Sequence, residues 1–332
     1  MKRFILLSAI VFGTYCANAE NSVQILSDGF EKGELSTYCG RFSGKYVSLQ
    51  EKAGVGNSRA LVIAKTGDSK KYAIAGLKRF PVEPNCCYTL SFDGKVSGPD
   101  TLENNPQLMI FFYDYLRNSK GKPLPGWSIT EYDANGKKLP NMRTAFFRAI
   151  LHDNYFRYTE SRYTHRKAAF AEVTFSNNGN NLNDIFIDNV KFEKRPESKV
   201  LNINGDFSAG IYDYSGWQNI KNARIEAADN GKFTMNINPK GGIYGDPVPV
   251  EPGKKYRVTY KTAVSNKRVH CGLAFMDKNY RQTRTSKQFV RIMPGKDKPG
   301  EISFSPAENE SYMFPFVKEG VVEYVTVEKI SE

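Results

Sequence analysis

The sequence predicts an all-β protein made of two antiparallel β-sandwich modules, of jelly-roll type, in tandem. Three observations lead to this prediction. Short runs of β-branched and aromatic residues recur along the chain, turn residues separate them, and one motif occurs twice. Helical periodicity is nearly absent, and 332 residues exceed the usual size of one domain.

The predicted strands are short runs of apolar and aromatic residues, several of which alternate with polar ones. They cover residues 60–64, 88–92, 108–112, 171–175, 185–187 and 256–260. Turn-forming stretches such as Asp133-Ala134-Asn135-Gly136 lie between them. Many short strands joined by polar turns are typical of an antiparallel sandwich.

An internal repeat divides the chain. Pro81-Val82-Glu83-Pro84 precedes Tyr88 by the same interval that separates Pro249-Val250-Glu251-Pro252 from Tyr256. Each copy predicts a strand end, a reversing turn and a new strand with one buried face. We therefore expect two copies of one fold, with a first module over residues 20–195 and a second over 196–332.

The first residues predict export. Lys2 and Arg3 precede an apolar run over residues 4–12, which closes on Ala17-Asn18-Ala19. This pattern is typical of a signal peptide, here residues 1–19, and predicts a secreted, periplasmic or cell-surface protein. No later segment is apolar and long enough to insert into a membrane.

The charge of the chain is strongly basic. The formal net charge is +12, and the predicted loss of Lys2 and Arg3 lowers it to +10. Such an excess favours polyanions. An exported protein meets acidic or sulfated polysaccharides rather than nucleic acid, although a solvated basic face without a ligand is an equal alternative.

Four cysteines follow the predicted signal peptide: Cys39, Cys86, Cys87 and Cys271. Export permits disulfides. Neighbours on a strand face opposite sides, so only one of Cys86 and Cys87 can face the core, and Cys39 is a plausible partner for it.

Three short motifs carry a resemblance to a known family. They are Asp28-Gly29-Phe30-Glu31-Lys32-Gly33, the strand over residues 88–92 after its Pro-Asn turn, and Asp188-Asn189-Val190. Here the chain resembles carbohydrate-binding modules of the galactose-binding-like jelly-roll group, in particular the cellulase- and xylanase-associated type. The resemblance implies polysaccharide binding and association with carbohydrate-active enzymes.

The same resemblance implies a structural calcium ion in the first module. Its oxygen ligands would be Asp28, Glu31 and Asp188, drawn from both ends of the module. The alternative is a turn aspartate and two exposed carboxylates.

Sugar rings stack on flat aromatic side chains, so exposed aromatics are the candidate ligand contacts. Trp127 follows a loop-like stretch, which predicts exposure, with a staple over that loop as the alternative. Tyr113 and Tyr115 share one strand face, either as platform or, for one of them, as core. Trp217 is a further candidate, with a packing role as its alternative.

A basic and aromatic stretch over residues 141–167 suits an acidic chain, because arginine grips carboxylate or sulfate with two hydrogen bonds. Its candidates are Arg143, Arg157 and Tyr158. Inward-facing aromatics and a solvated run of charge form the alternative interpretation.

Familiar catalytic motifs are missing from the sequence, including G-x-S-x-G, H-E-x-x-H and a phosphate-binding loop. We therefore expect a non-catalytic polysaccharide-binding protein. An envelope or adhesion protein without a glycan ligand is one alternative. A jelly-roll lyase or hydrolase that uses Arg157, Tyr158, Tyr163 and His165 is another.

Overall fold

The structure is a computed structural model, and it describes most of the chain after residue 22. The described residues are 23–68, 71–98, 126–140, 148–149, 153–178, 183–209, 215–219, 223–228, 231–238, 242–263, 269–285, 290–292 and 299–330. The predicted signal peptide and the strand predicted at 108–112 lie outside them. The described part contains no helix that is long and apolar enough to cross a membrane.

The first part of the chain forms a two-sheet sandwich, as predicted. Its described strands are β1 Val23–Asp28, β2 Cys39–Phe42, β3 Val47–Gln50, β4 Ala60–Ile63, β5 Tyr72–Leu77, β6 Phe80–Pro81, β7 Cys87–Val96, β8 Gly126–Tyr132, β9 Arg148–Ala149, β10 Phe156–Tyr163, β11 Phe170–Asn178 and β12 Ile185–Lys194, with one short helix, α1 Leu35–Tyr38. Sheet A has the strand order β10-β7-β12-β4-β3, with β1 beside β12, and sheet B has the order β2-β5-β11-β8-β9, with β6 beside β11. The strand pairs of both sheets are antiparallel.

Alternation along these strands builds the core between the two sheets. Leu90 and Phe92 of β7 face Val173 and Phe175 of β11, and all four side chains are almost fully buried. Aromatic rings pack edge-on here, with the ring centres of Phe92 and Phe175 5.0 Å apart. Burial of these faces is the main force that holds the sheets together.

The second part repeats the architecture with one modification. Its strands are β13 Trp217–Gln218, β14 Ala223–Ala227, β15 Phe233–Ile237, β16 Ile243–Gly245, β17 Val248–Pro249, β18 Lys255–Thr262, β19 Val269–Met276, β20 Gln282–Thr285, β21 Val290–Ile292, β22 Gly300–Phe304 and β23 Tyr312–Ile330. The long β23 pairs with β16, β17 and β19 before Gly320, and with β15 and β18 from Gly320 onward. Gly320 has φ of 109°, a conformation that favours glycine. One bent strand therefore joins both sheets, where the first module uses the separate strands β11 and β12.

The repeated motif has the same structure in both copies. The Tyr88 hydroxyl accepts the Glu83 N–H at 2.9 Å, and the Tyr256 hydroxyl accepts the Glu251 N–H at 2.9 Å. Glu83 pairs with Lys194 of β12, and Glu251 pairs with Lys329 of β23. The sequence repeat is thus a structural repeat.

The two sandwiches have separate cores but touch each other. The core residues of one span Phe30 to Phe192, and those of the other span Phe207 to Val327. The Arg166 N–H donates to the Tyr312 hydroxyl at 3.2 Å, and the His165 and Tyr280 rings lie 5.1 Å apart. Among the described residues, the two modules are therefore joined by side-chain contacts as well as by the link over residues 195–199.

Candidate functional site

The outer face of sheet B carries an organised set of polar side chains in the described part of the first module. Alternation sends Trp127, Ile129, Val173 and Phe175 into the core, so their neighbours point outward. We call this face the sheet B groove. It comprises Tyr72, Ile74 and Gly76 of β5, Phe170, Glu172, Thr174 and Ser176 of β11, and Ser128, Thr130 and Tyr132 of β8, with Arg41 and Arg79 beside them.

The groove is sheltered although it faces away from the core. Thr130, Tyr132, Glu172, Thr174 and Ser176 are each no more than 8% exposed. A Cβ at Gly76 would lie only 2.8 Å from the Glu172 Oε1 atom and 2.9 Å from the Arg41 side chain, so glycine permits the close approach there. Outward residues on a flat, solvated sheet would be exposed, so neighbouring side chains such as Arg41 and Arg79 must cover part of this face.

Glu172 anchors two arginines. Its Oε1 atom lies 2.6 Å from Arg41 Nε, and its Oε2 atom lies 3.6 Å from Arg79 Nε. The Tyr132 hydroxyl donates to Oε2 at 3.2 Å, and the Arg79 guanidinium sits 3.5 Å above the Tyr132 ring. Arg41 also donates to the Thr174 hydroxyl at 3.0 Å.

The anchored arginines are open to a ligand. The Arg41 side chain is 50% exposed and that of Arg79 is 45% exposed, whereas Glu172 is only 6% exposed. Two cations share one carboxylate, so the cluster has an excess positive charge. Guanidinium groups that Glu172 already holds in place lose little further conformational entropy when they bind a carboxylate or sulfate.

Aromatic rings mark both ends of the groove. Tyr72 is 57% exposed and pairs with Asn178, while Phe170 is 36% exposed and pairs with Tyr132. Phe170 and Asn178, the partner of Tyr72, are eight residues apart along β11, which corresponds to about 27 Å. An extended oligosaccharide could lie between them and meet a ring at each end.

Ser176 lies between these ends and has an unused hydroxyl. It is 6% exposed, and its Oγ atom lacks a hydrogen-bond partner among the described residues. Buried hydroxyls are normally paired, so this one is a candidate to meet a ligand hydroxyl.

The predicted exposure of Trp127 is wrong. Trp127 is 2% exposed, packs edge-on against Phe92 with ring centres 4.9 Å apart, and donates from Nε1 to Glu160 Oε2 at 2.9 Å. The loop-like stretch ends before it, because β8 begins at Gly126 and directs position 127 inward. Trp127 therefore packs under the groove rather than in it.

Two other predicted ligand contacts are buried as well. Tyr158 is 4% exposed and stacks on Phe92, since alternation along β10 turns it toward the core. Trp217 is 1% exposed, packs near Phe207 and donates to the Asn204 carbonyl at 3.0 Å. Neither side chain offers a face to a sugar.

Arg157 lies on sheet A, away from the groove. It donates to the Asn189 carbonyl at 3.0 Å and to the Ser91 hydroxyl at 2.7 Å, and lies 3.4 Å from Asp93. The remaining candidates, Tyr113, Tyr115 and Arg143, lie outside the described residues.

The three predicted calcium ligands meet around Gly29. Oxygens of Asp188 and Glu31 both lie 3.7 Å from a Cβ placed there, and burial, with Asp188 and Glu31 nearby, raises the pKa of Asp28. However, Asp188 already accepts the Val55 N–H at 2.9 Å and the Ser58 hydroxyl at 2.7 Å. The described residues contain no group of three or more His, Cys, Asp or Glu placed to hold a metal ion. These side chains fit a calcium site only in part, and the ion stays a prediction.

The candidate lyase residues do not face one open cleft. Tyr158 is in the core, Arg157 is engaged on sheet A, and the Tyr163 hydroxyl donates to the Leu201 carbonyl at 2.6 Å. His165 is 4% exposed and packs against Tyr280.

All four described cysteines are free thiols. Cys39 and Cys271 are buried, and Cys86 and Cys87 are partly buried. The plausible disulfide between Cys39 and one of the neighbouring pair is therefore absent from the described structure. Burial raises the pKa of Cys39 to about 12 and that of Cys87 to about 11, so both are protonated at neutral pH.

The sequence did not predict the cluster in the groove, because its members are far apart in the chain and no local motif joins them. They are Arg41, Arg79 and Glu172. The one available signal was Glu172 within the alternating strand Ala171-Glu172-Val173-Thr174-Phe175, which predicts an outward carboxylate.

Comparison with solved structures gives likenesses of fold. The tandem CBM22-1–CBM22-2 pair from Paenibacillus barcinonensis Xyn10C is 10% identical, with 94% of this chain and 99% of that chain covered and a TM-score of 0.35. The xylan-binding CBM22-1 domain of the same protein is 10% identical over 54% of this chain and 99% of its own, with a TM-score of 0.35. A Cellvibrio mixtus lichenase 5A module, solved with cellotriose, is 9% identical over 52% of this chain and 100% of its own, with a TM-score of 0.30.

Identities of 9–10% and TM-scores of 0.35 or below carry no argument about this chain beyond the likeness itself. No family model matches the sequence. No curated protein matches it either.

Proposed function

We propose that this protein binds polysaccharide without cleaving it, and that the sheet B groove is its binding surface. The observation that carries the proposal is the Glu172 cluster, in which two half-exposed arginines and the Tyr132 ring are held in a sheltered sheet face. The exposed rings of Tyr72 and Phe170 extend this surface in both directions. Ring faces and fixed polar groups are the two elements that sugar recognition needs.

The preferred ligand is an acidic polysaccharide. Arg41 and Arg79 share the single carboxylate of Glu172, which leaves donor capacity for a uronate or sulfate group. The net charge of +10 expected for the mature chain, which is +12 less Lys2 and Arg3, adds long-range attraction for such a polysaccharide. Association with carbohydrate-active enzymes stays a prediction.

Affinity electrophoresis in gels that contain neutral xylan, polygalacturonate or a sulfated glycan tests this proposal. We expect retardation in at least one acidic gel. We expect Tyr72→Ala/Phe170→Ala to weaken it about tenfold or more, since both rings lose their apolar contact area with the sugar and about 1.4 kcal/mol corresponds to a tenfold change. Val55→Ala, which truncates another exposed apolar side chain, is the matched control.

Arginine variants provide a second comparison. Arg79→Ala should weaken binding to acidic glycans more than to neutral ones, while Arg157→Ala should not, although both side chains are similarly exposed. Loss of binding only in Arg157→Ala would move the site to sheet A. Absence of binding to every glycan would refute the proposal, and new reducing or unsaturated ends would indicate an enzyme.

We also propose an extracytoplasmic location, on the evidence of the leader alone. The expected mature protein begins at Glu20, after Ala19. N-terminal sequencing of the protein from its native host tests this expectation, and a mature form that retains Lys2 and Arg3 would contradict it.

A further inference from the structure

A large cleft lies where the two modules and their link meet. Its volume is about 1020 Å³, and we call it the junction cleft. The link and the residues beside it contribute the lining from Lys194 to Leu201, and the repeated turns contribute Cys86 and Cys87 from one module and Val250 and Glu251 from the other. The residues that directly follow the first Pro-x-Glu-Pro copy thus line the same cavity as the second copy itself.

The walls of the cleft are fastened to both modules. The Arg195 N–H donates to the Cys87 carbonyl at 2.8 Å, and the Leu201 N–H donates to the Val327 carbonyl at 2.8 Å. The Tyr163 hydroxyl donates to the Leu201 carbonyl at 2.6 Å, and Val200 forms a bridge with Glu328. The link is therefore a structured wall, which fixes the backbone from which its charged side chains project.

Positive charge is in excess around the cleft. Glu197, Glu251 and Glu328 are its acidic residues, against the basic residues Lys194, Arg195, Lys199, Lys254, Arg257 and Lys329. Some of this charge is already compensated, because Lys329 lies 2.8 Å from Glu251 and Arg257 lies 2.9 Å from Glu328. Lys194 likewise lies 2.7 Å from Glu83.

Two lysines lack such compensation. Within the described residues, no acidic group lies within ion-pair distance of Lys199 or Lys254, and both side chains are exposed. Lys199 belongs to the link and Lys254 to the repeated turn of the second module, so the two bring charge to the same cleft from different segments. Arg195, whose N–H donates to the Cys87 carbonyl, adds a third cation to the lining.

We infer that the junction cleft is a second binding site, which takes a carboxylate- or sulfate-bearing oligosaccharide. Its volume far exceeds that of a small ion and lies just above the usual range of about 300–1,000 Å³ for sites that bind small organic ligands. Lys199, Lys254 and Arg195 supply the anion contacts, and the partly buried Tyr163 and Ile330 supply apolar surface. No residue of the sheet B groove lines the cleft, so this inference does not depend on the proposed groove.

Charge reversal tests the inference. Isothermal titration is performed with a heparin hexasaccharide, a galacturonate hexasaccharide and neutral cellohexaose, for wild type and Lys199→Glu/Lys254→Glu. We expect about tenfold weaker binding of at least one acidic probe to the variant, no change with the neutral probe, and a smaller difference at high salt. The sulfated and carboxylated probes distinguish the two sources of negative charge.

Two further variants separate this site from its alternatives. Lys32→Glu/Lys278→Glu makes the same change in charge outside the cleft, and its affinity for the acidic probes should decrease much less. Equal weakening would show that only the general basic surface matters and would overturn the inference, as would unchanged affinity of the cleft variant. Tyr72→Ala/Phe170→Ala reports on the groove alone, so a failure of either site is recognised separately. Unchanged thermal unfolding of each variant shows that it is folded.

Discussion

At the scale of single residues, buried carboxylates organise the first module. Glu160 accepts the Trp127 indole N–H, and Glu131 accepts both the Arg162 guanidinium at 2.9 Å and the His165 N–H at 2.8 Å. Burial alone would lower the pKa of Arg162, but Glu131 and Glu160 raise it overall, so this guanidinium stays charged. Each carboxylate has a partner, which makes its burial tolerable.

Replacement of Trp127 should therefore affect folding. We expect Trp127→Ala to lower the free energy of unfolding by about 3–5 kcal/mol. Trp127→Phe should lower it by about 1–3 kcal/mol, because Glu160 loses its donor. Urea denaturation measures both values, with Val55→Ala as a surface control. A folded Trp127→Ala protein of normal stability that no longer binds glycan would instead place Trp127 in the binding site.

The predicted calcium site also depends on a few single residues. If Asp28, Glu31 and Asp188 hold the ion, excess EDTA should lower the melting temperature, and added Ca²⁺ should restore it. Glu31→Gln should remove most of this calcium response, while Glu301→Gln, in the second module, should not. Identical melting curves of the wild type with EDTA and with Ca²⁺ would exclude a stabilising ion.

At the scale of elements, the repeated turn is the clearest unit of the protein. In both copies a buried tyrosine hydroxyl accepts the N–H of the motif glutamate, and a lysine of the last strand pairs with that glutamate. The pairing with Lys194 lowers the pKa of the Glu83 carboxyl. The turn thus fastens the start of one strand to the end of its neighbour.

The repeat predicts equal effects in the two modules. Tyr88→Phe and Tyr256→Phe should each lower the free energy of unfolding by about 1 kcal/mol, because each removes one hydrogen bond to a turn N–H. Chemical denaturation of the two variants and of the double variant measures the effect. A decrease in the free energy of unfolding for only one of the two variants would show that the two turns differ in their stabilising effect despite their matching geometry.

At the scale of the whole molecule, the contact between the two modules contributes to stability. His165 follows β10 of the first module and packs against Tyr280 of the second, with Arg166 bonded to Tyr312 beside it. Burial, with Lys167 and Arg166 nearby, lowers the pKa of His165, although Glu131 opposes the shift. The folded protein therefore favours neutral imidazole at this junction.

Acidification should therefore lower the stability of the folded protein through this contact between the modules. The unfolded chain, with a histidine pKa of about 6.5, takes up a proton more readily than the folded chain does. Stability should decrease as the pH falls below about 6.5, and this contribution should level off below the folded pKa. Urea denaturation from pH 7.5 to 5 measures the slope.

The His165→Asn variant isolates this contribution. It should show a smaller slope, since asparagine keeps an acceptor for the Lys167 N–H, whose hydrogen bond to His165 Nδ1 is 3.0 Å long. His270→Asn is the control, because His270 lies at the surface beside Glu319. The same pH dependence in wild type and His165→Asn would contradict this role of His165.

Local patterns determined the secondary structure and the repeat. Alternation at residues 88–92, 171–175 and 256–260 predicted strands that the structure contains, because the period of two is a property of the chain itself. The Pro-x-Glu-Pro spacing predicted the duplicated turn for the same reason. Alternation alone also required that half of the aromatics in 141–167 face inward, as Tyr158 does.

The all-β class, the tandem repeat and the positive charge follow from the amino-acid sequence alone. Which side chains meet at the surface depends on the three-dimensional fold. Trp127 is buried because β8 pairs with β11 at that register, and Arg41, Arg79 and Glu172 form a cluster because β2, β5 and β11 are neighbours in one sheet. Strand order and register depend on long-range packing, so a local sequence pattern contains little information about them.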